Sequence, residues 1–115
     1  MKIFIISIFL VLFFLIKSYA TENATALNKY AIYSNIAWEN AINCTRQVKR
    51  SGKKNFSKTE SCIASHNYIN LMKQELKKVE IDEYSPLTSD EKKMLEKGNK
   101  NMELIIRLLK SIDAM

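Results

Sequence analysis

Residues 27 to 48, LNKYAIYSNIAWENAINCTRQV, decide the fold. Within them Leu27, Tyr30, Ser34, Ala37, Ala41, Cys44 and Val48 recur at steps of three and four. That spacing lines side chains along one face of an α-helix. No glycine or proline interrupts the stretch, so the same register predicts a helix over roughly 26–50 with Ser34 as the polar member of its inner stripe.

Two further stripes follow toward the C-terminus. Cys62, Ser65, Ile69, Met72, Leu76 and Val79 predict a helix over roughly 58–80. Leu95, Gly98, Met102, Ile105, Leu109 and Ile112, widened by Met94, Leu104, Ile106 and Leu108, predict another over roughly 88–113. Gly98 inside that helix costs about 1 kcal/mol relative to alanine, and its place on the stripe predicts a neighbouring helix packed closely against it. Ser57 with Glu60, and Thr88 with Glu91, both fit the capping box, in which a hydroxyl and a carboxylate satisfy amides at a helix start. The intervening segments 51–56 and 81–87 hold Gly52 and Pro86. Short connections between helices of similar length favour antiparallel neighbours. The predicted fold is therefore all-α, a small up-down-up three-helix bundle.

The two cysteines supply an independent register. At about 1.5 Å per residue, Cys44 lies roughly 9 Å before the end of the first helix and Cys62 roughly 7 Å after the start of the second. Both sit on inward stripes, so one disulfide should staple helices one and two near their connecting loop. Neither cysteine belongs to a CxxC motif, and His66 is the one histidine. A redox dithiol or a zinc site lacks its partners, and no metal and no cofactor is expected.

The N-terminus sets Lys2 before an apolar run from Ile3 to Ile16, interrupted by Ser7, and then Lys17, Ser18, Tyr19 and Ala20. This is the order of a cleavable secretory signal. Ser18 and Ala20 are the small residues before a cut placed ahead of Thr21. A retained membrane anchor is the rival, but a spanning helix needs about 20 apolar residues and this run is shorter. The expected organisation is a signal at 1–20 and a single helical domain at 21–115. Secretion or a periplasmic destination follows, an oxidising setting in which cysteines pair. Losing Lys2 and Lys17 lowers the formal net charge from +6 to +4.

Charge is unevenly placed on that domain. Arg46, Lys49, Arg50, Lys53, Lys54 and Lys58 fall in a window with no acid, whereas Asp82, Glu83, Asp90 and Glu91 fall in one with no base. In an up-down-up bundle these windows occupy opposite ends, and Arg107 and Lys110 should join the basic one. The basic end is a candidate surface for an anionic partner; a solvated loop that aids solubility explains the same residues.

No other constellation carries chemistry. His66 lies beside the second stripe with no partner assignable from spacing, and the adjacent Asp82 and Glu83 read as surface charge. Tyr30, Tyr33, Trp38 and Tyr68 are expected to complete the core and its rim, with Met72, Met94 and Met102 as filler. Three sequons, at Asn23, Asn43 and Asn55, are close to the number that this asparagine-rich composition yields by chance.

The reading that follows is a small exported helical binding protein, not an enzyme: an inhibitor, immunity or docking partner of another protein. The alternative is a secreted factor whose basic loop, 46–58, binds anionic lipid or glycan surfaces, a membrane among them. Nucleic acid is disfavoured, since Phe56 is the one aromatic in the basic window and no recognition motif is present. The sequence leaves the oligomeric state open.

Overall fold

A computed structural model describes residues 2–81 and 86–114, with side chains from Glu22 onward. Three long helices dominate: α1 (Lys2–Ser51), α2 (Glu60–Lys77) and α3 (Ser89–Asp113), with a 3-10 turn at Lys53–Lys58 between the first two. The described residues contain no strand. Asn23 meets Glu80 and Gln47 meets Ser61, so α2 runs antiparallel to α1. Tyr30 meets Asn99 and Cys44 clusters with Ile112, so α3 runs parallel to α1. This is the up-down-up bundle.

The first stripe is the axis of the core. Leu27, Tyr30, Ser34, Ala37, Ala41, Cys44 and Val48 are all buried. Because three of these seven positions are alanine or serine with no bulk to hold a neighbour away, α1 packs against both α2 and α3. Those two helices make little backbone approach to each other. Ile69 and Met72 from α2 and Ile105 from α3 fill the space over Ala37 and Ala41. Tyr33, Trp38 and Tyr68 pack against the rim of this cluster, Tyr33 and Tyr68 with ring centroids 5.9 Å apart.

Polar contacts fix the register between helices. The Ser65 hydroxyl donates to the Ala37 carbonyl at 3.1 Å, joining α2 to α1 inside the core. Asn101 on α3 donates to Ser34 Oγ at 2.9 Å and to Asn35 Oδ1 at 2.8 Å. The polar member of the first stripe therefore has a partner, as a buried hydroxyl requires. Partway along α1, near the bundle's second connection, Asn23 donates to the Glu80 carbonyl at 2.8 Å and accepts from the Glu80 amide at 3.1 Å.

Cys44 and Cys62 form the expected disulfide, with Cα atoms 4.7 Å apart. Gly52 ends α1 with φ +97, a left-handed conformation that glycine adopts without a side-chain clash, and its amide donates to the Val48 carbonyl.

Three expectations need correction. Helix α1 begins at Lys2 rather than near residue 26, because nothing between Lys17 and Ala26 breaks a helix; the residues assigned to the signal lie outside those whose side chains are described. Ser57 does not cap α2. It lies within the 3-10 turn, and Thr59 takes the N-cap position with its hydroxyl turned back to the Asn55 carbonyl. On α2 the buried stripe passes through Glu75, and Leu76 is 39% exposed. Glu75 is accommodated by Lys78, whose Nζ lies 3.0 Å from its Oε1. The Thr88–Glu91 capping box forms in full on α3.

Among the residues whose side chains are described, no helix is long and apolar enough to cross a membrane.

Candidate functional site

The basic end is assembled from two elements. Arg46, Lys49 and Arg50 occupy the outer side of α1's last turns, opposite the buried Cys44 and Val48. Lys53, Lys54 and Lys58 belong to the 3-10 turn that follows. All six are exposed, and among the described residues none is in an ion pair. The structure thus brings the six predicted residues to one end.

Part of this arrangement has a structural cause. Lys49 and Arg50 lie in the last turn of α1, and Lys110 lies in the last turn of α3. Cations there offset the negative end of the helix dipole, each contributing about 0.3–1 kcal/mol at the surface. The cations of the 3-10 turn have no such role. Lys53 donates to the Asp113 carbonyl at 3.2 Å, tying the turn to the end of α3, while the side chains of Lys54 and Lys58 make no hydrogen bond among the described residues.

Arg107 and Lys110 behave differently from one another. Arg107 Nη2 lies 2.8 Å from Glu103 Oε1 one turn away, so its charge is partly neutralised. Lys110 lines a groove of about 410 Å³ beside the basic cluster. Its walls are Lys53 and Phe56 from the turn and Ile106, Leu109, Lys110, Ile112 and Asp113 from α3. Ile106 is 45% exposed and Phe56 37% exposed, so apolar surface faces the opening.

Sequence reasoning located the charge of this end and missed the groove. Its signal is Ile106, which falls off the inward register of α3 and in the sequence reads as a widening of the stripe. The contribution of Phe56 depends on how the turn folds back across α3, a long-range relation that no local spacing encodes.

Of the acidic window at the opposite end, Asp90 and Glu91 are described. Glu91 is 5% exposed, drawn into the cap where its Oε1 accepts the Thr88 amide at 3.1 Å, so it adds little to the surface. Asp82 and Glu83 lie outside the described residues. Glu22, Glu80 and Asp90 are exposed there, with Lys92 and Lys93 close in sequence.

His66 is exposed on α2, with no hydrogen bond among the described residues. Of the sequon asparagines, Asn23 engages Glu80 and Asn55 donates to the Ser51 carbonyl at 3.0 Å, while Asn43 is exposed on α1 beside the disulfide.

No protein-family model, curated protein or solved structure matches the chain. What is on hand is an all-α, disulfide-stapled three-helix bundle with a polarised basic end.

Proposed function

We propose that the chain is exported, loses residues 1–20, and acts as a binding protein rather than an enzyme, its basic end docking on an acidic surface of another protein. An inhibitor, an immunity protein or a docking subunit all fit this description. The supporting observation is the exposure of Arg46, Lys49, Arg50, Lys53, Lys54 and Lys58 at one end without an acidic partner among the described residues. Fields of one sign accelerate encounter with a surface of the other and reject like-charged partners. The Cys44–Cys62 bridge supports export, since such bonds persist in oxidising compartments. It also gives a small domain the rigidity that keeps an interface preorganised.

The test is recovery of the disulfide-bonded chain from the exported fraction at low salt, beside a Lys53→Glu/Lys54→Glu variant. A stoichiometric protein held by the first and released from the second, and released from both by salt, is the expected result. Equal retention by both chains refutes docking through the basic end.

The same six cations support a second reading, in which the loop binds anionic lipid or glycan surfaces. Salt-sensitive binding to anionic vesicles, with no protein recovered, would favour it.

A further inference from the structure

We infer that the groove between the 3-10 turn and the end of α3 is a binding site for a single-chain anionic amphiphile, a medium-chain carboxylate, with its head group at Lys53 and Lys110 and its alkyl chain on Phe56, Ile106, Leu109 and Ile112. This site shares Lys53 with the docking surface proposed above but does not depend on that reading.

Shape and size select the class of ligand. The groove's volume, about 410 Å³, lies in the range of small-molecule sites, and its walls have their character: mainly apolar, with few polar groups. A protein partner needs about 800 Å² from each side, far more than the exposed parts of Phe56 and Ile106 supply. A bilayer is entered by protruding apolar side chains, and here the apolar surface is concave. From Ile106 to Ile112 the floor runs roughly 9 Å along the helix at 1.5 Å per residue, a length that holds a short alkyl chain.

Charge selects the head group. Two lysines and one carboxylate, Asp113, line the groove. Asp113 opposes an anion, but its carbonyl holds Lys53 in place at 3.2 Å. An ammonium has three donors, so Lys53 keeps others for a ligand after that bond. Lys110 is exposed and in no ion pair among the described residues. The neighbouring cations of the turn and of α1 add a positive field, since residues 40–59 contain no Asp or Glu.

The test uses the disulfide-bonded protein in the form recovered from the exported fraction, titrated below micellar concentrations with octanoate, decanoate, dodecanoate and dodecylamine. Calorimetry gives affinity, and amide and methyl NMR shifts give location. Affinity should rise about threefold to fourfold per added methylene until the groove is full, with shifts centred on Phe56, Ile106 and Leu109. Dodecylamine should bind at least about tenfold more weakly than dodecanoate, since lysines repel it. Ile106→Asn and Lys110→Gln change exposed side chains, so each should weaken dodecanoate while keeping a cooperative thermal transition lowered by only a few degrees, roughly what loss of the Lys110 dipole contact gives. Absence of binding, equal binding of the amine, or shifts centred elsewhere overturns the inference. Binding to anionic vesicles without binding of free dodecanoate also overturns it, and assigns this end to a membrane surface instead.

Discussion

Tyr30 and Gly98 are matched across the α1–α3 interface: the buried phenol ring occupies the space that a side chain at position 98 would need. The ring is held there by its hydroxyl, which donates to Asn99 Oδ1 at 2.6 Å. Gly98→Ala therefore sets two effects against each other. Helix propensity favours alanine by about 1 kcal/mol, and overpacking a filled interface costs about 1–3 kcal/mol. A Cβ would overlap the ring itself, so the steric effect should win and chemical denaturation should show net destabilisation. In a Tyr30→Ala background the ring is gone, and Gly98→Ala should become stabilising. The reversal of sign between backgrounds is the measurement.

Burial raises the Tyr30 pKa above its ordinary 10.0. The folded chain then keeps the phenol proton where the unfolded chain has released it, so stability falls as pH rises above about 10, by up to 1.4 kcal/mol per pH unit for this one proton. Tyr30→Phe removes the titration. At neutral pH the variant should be less stable by about 1 kcal/mol for the lost hydrogen bond. Denaturant midpoints above pH 10 should bring the two chains together, whereas a constant gap would contradict the assignment.

Reducing the Cys44–Cys62 bridge releases a constraint on a segment with sequence separation 18. Loop-closure entropy puts its stabilisation at about 3 kcal/mol, a large share of what a small domain possesses. Cys44→Ala/Cys62→Ala should lower the thermal midpoint by well over ten degrees, given a shift of about 4–8 °C per kcal/mol at this size. Intact mass should rise on reduction by one hydrogen per sulfur, with no loss of a dimer.

The two predicted capping boxes separate cleanly. Thr88 accepts the Glu91 amide at 3.2 Å, so Thr88→Ala should cost about 1 kcal/mol. Ser57 is an exposed residue of the 3-10 turn and caps nothing, so Ser57→Ala should stay within about 0.5 kcal/mol of the parent. Parallel urea titrations of the two variants decide it.

Much of the architecture was legible because its information is local. The α1 stripe named seven of the nine buried positions from Leu27 to Val48, leaving out the flanking Ala31 and Thr45, and the cysteines fixed the pairing of α1 with α2. The Ser57 cap was misread because a hydroxyl and a carboxylate three residues apart occur whether or not the chain turns helical between them. Leu76 stands on the predicted stripe where Glu75 is the buried residue, because periodicity treats a carboxylate as outward, yet Lys78 lies close enough to satisfy it. The basic end was visible as a run of charge. The groove was not, since it depends on Phe56 and Ile106 meeting across some fifty residues of chain.

Helix α1 approaches both of its neighbours closely along their backbones, while the backbones of α2 and α3 stay further apart and share the core only through their side chains. Mutational tolerance should be distributed accordingly. A volume change at Ala37 or Ala41 is felt by two interfaces simultaneously, whereas a change on the outer face of α2 can be absorbed without disturbing α3. In a deep mutational scan, the first helix should resist nearly every enlargement of its inner face, and compensating pairs should link α1 to either neighbour more often than α2 to α3, where Met72 and Ile105 share one cluster. Such a molecule can alter its outer two helices independently, and with them its surfaces, while one rod keeps the register.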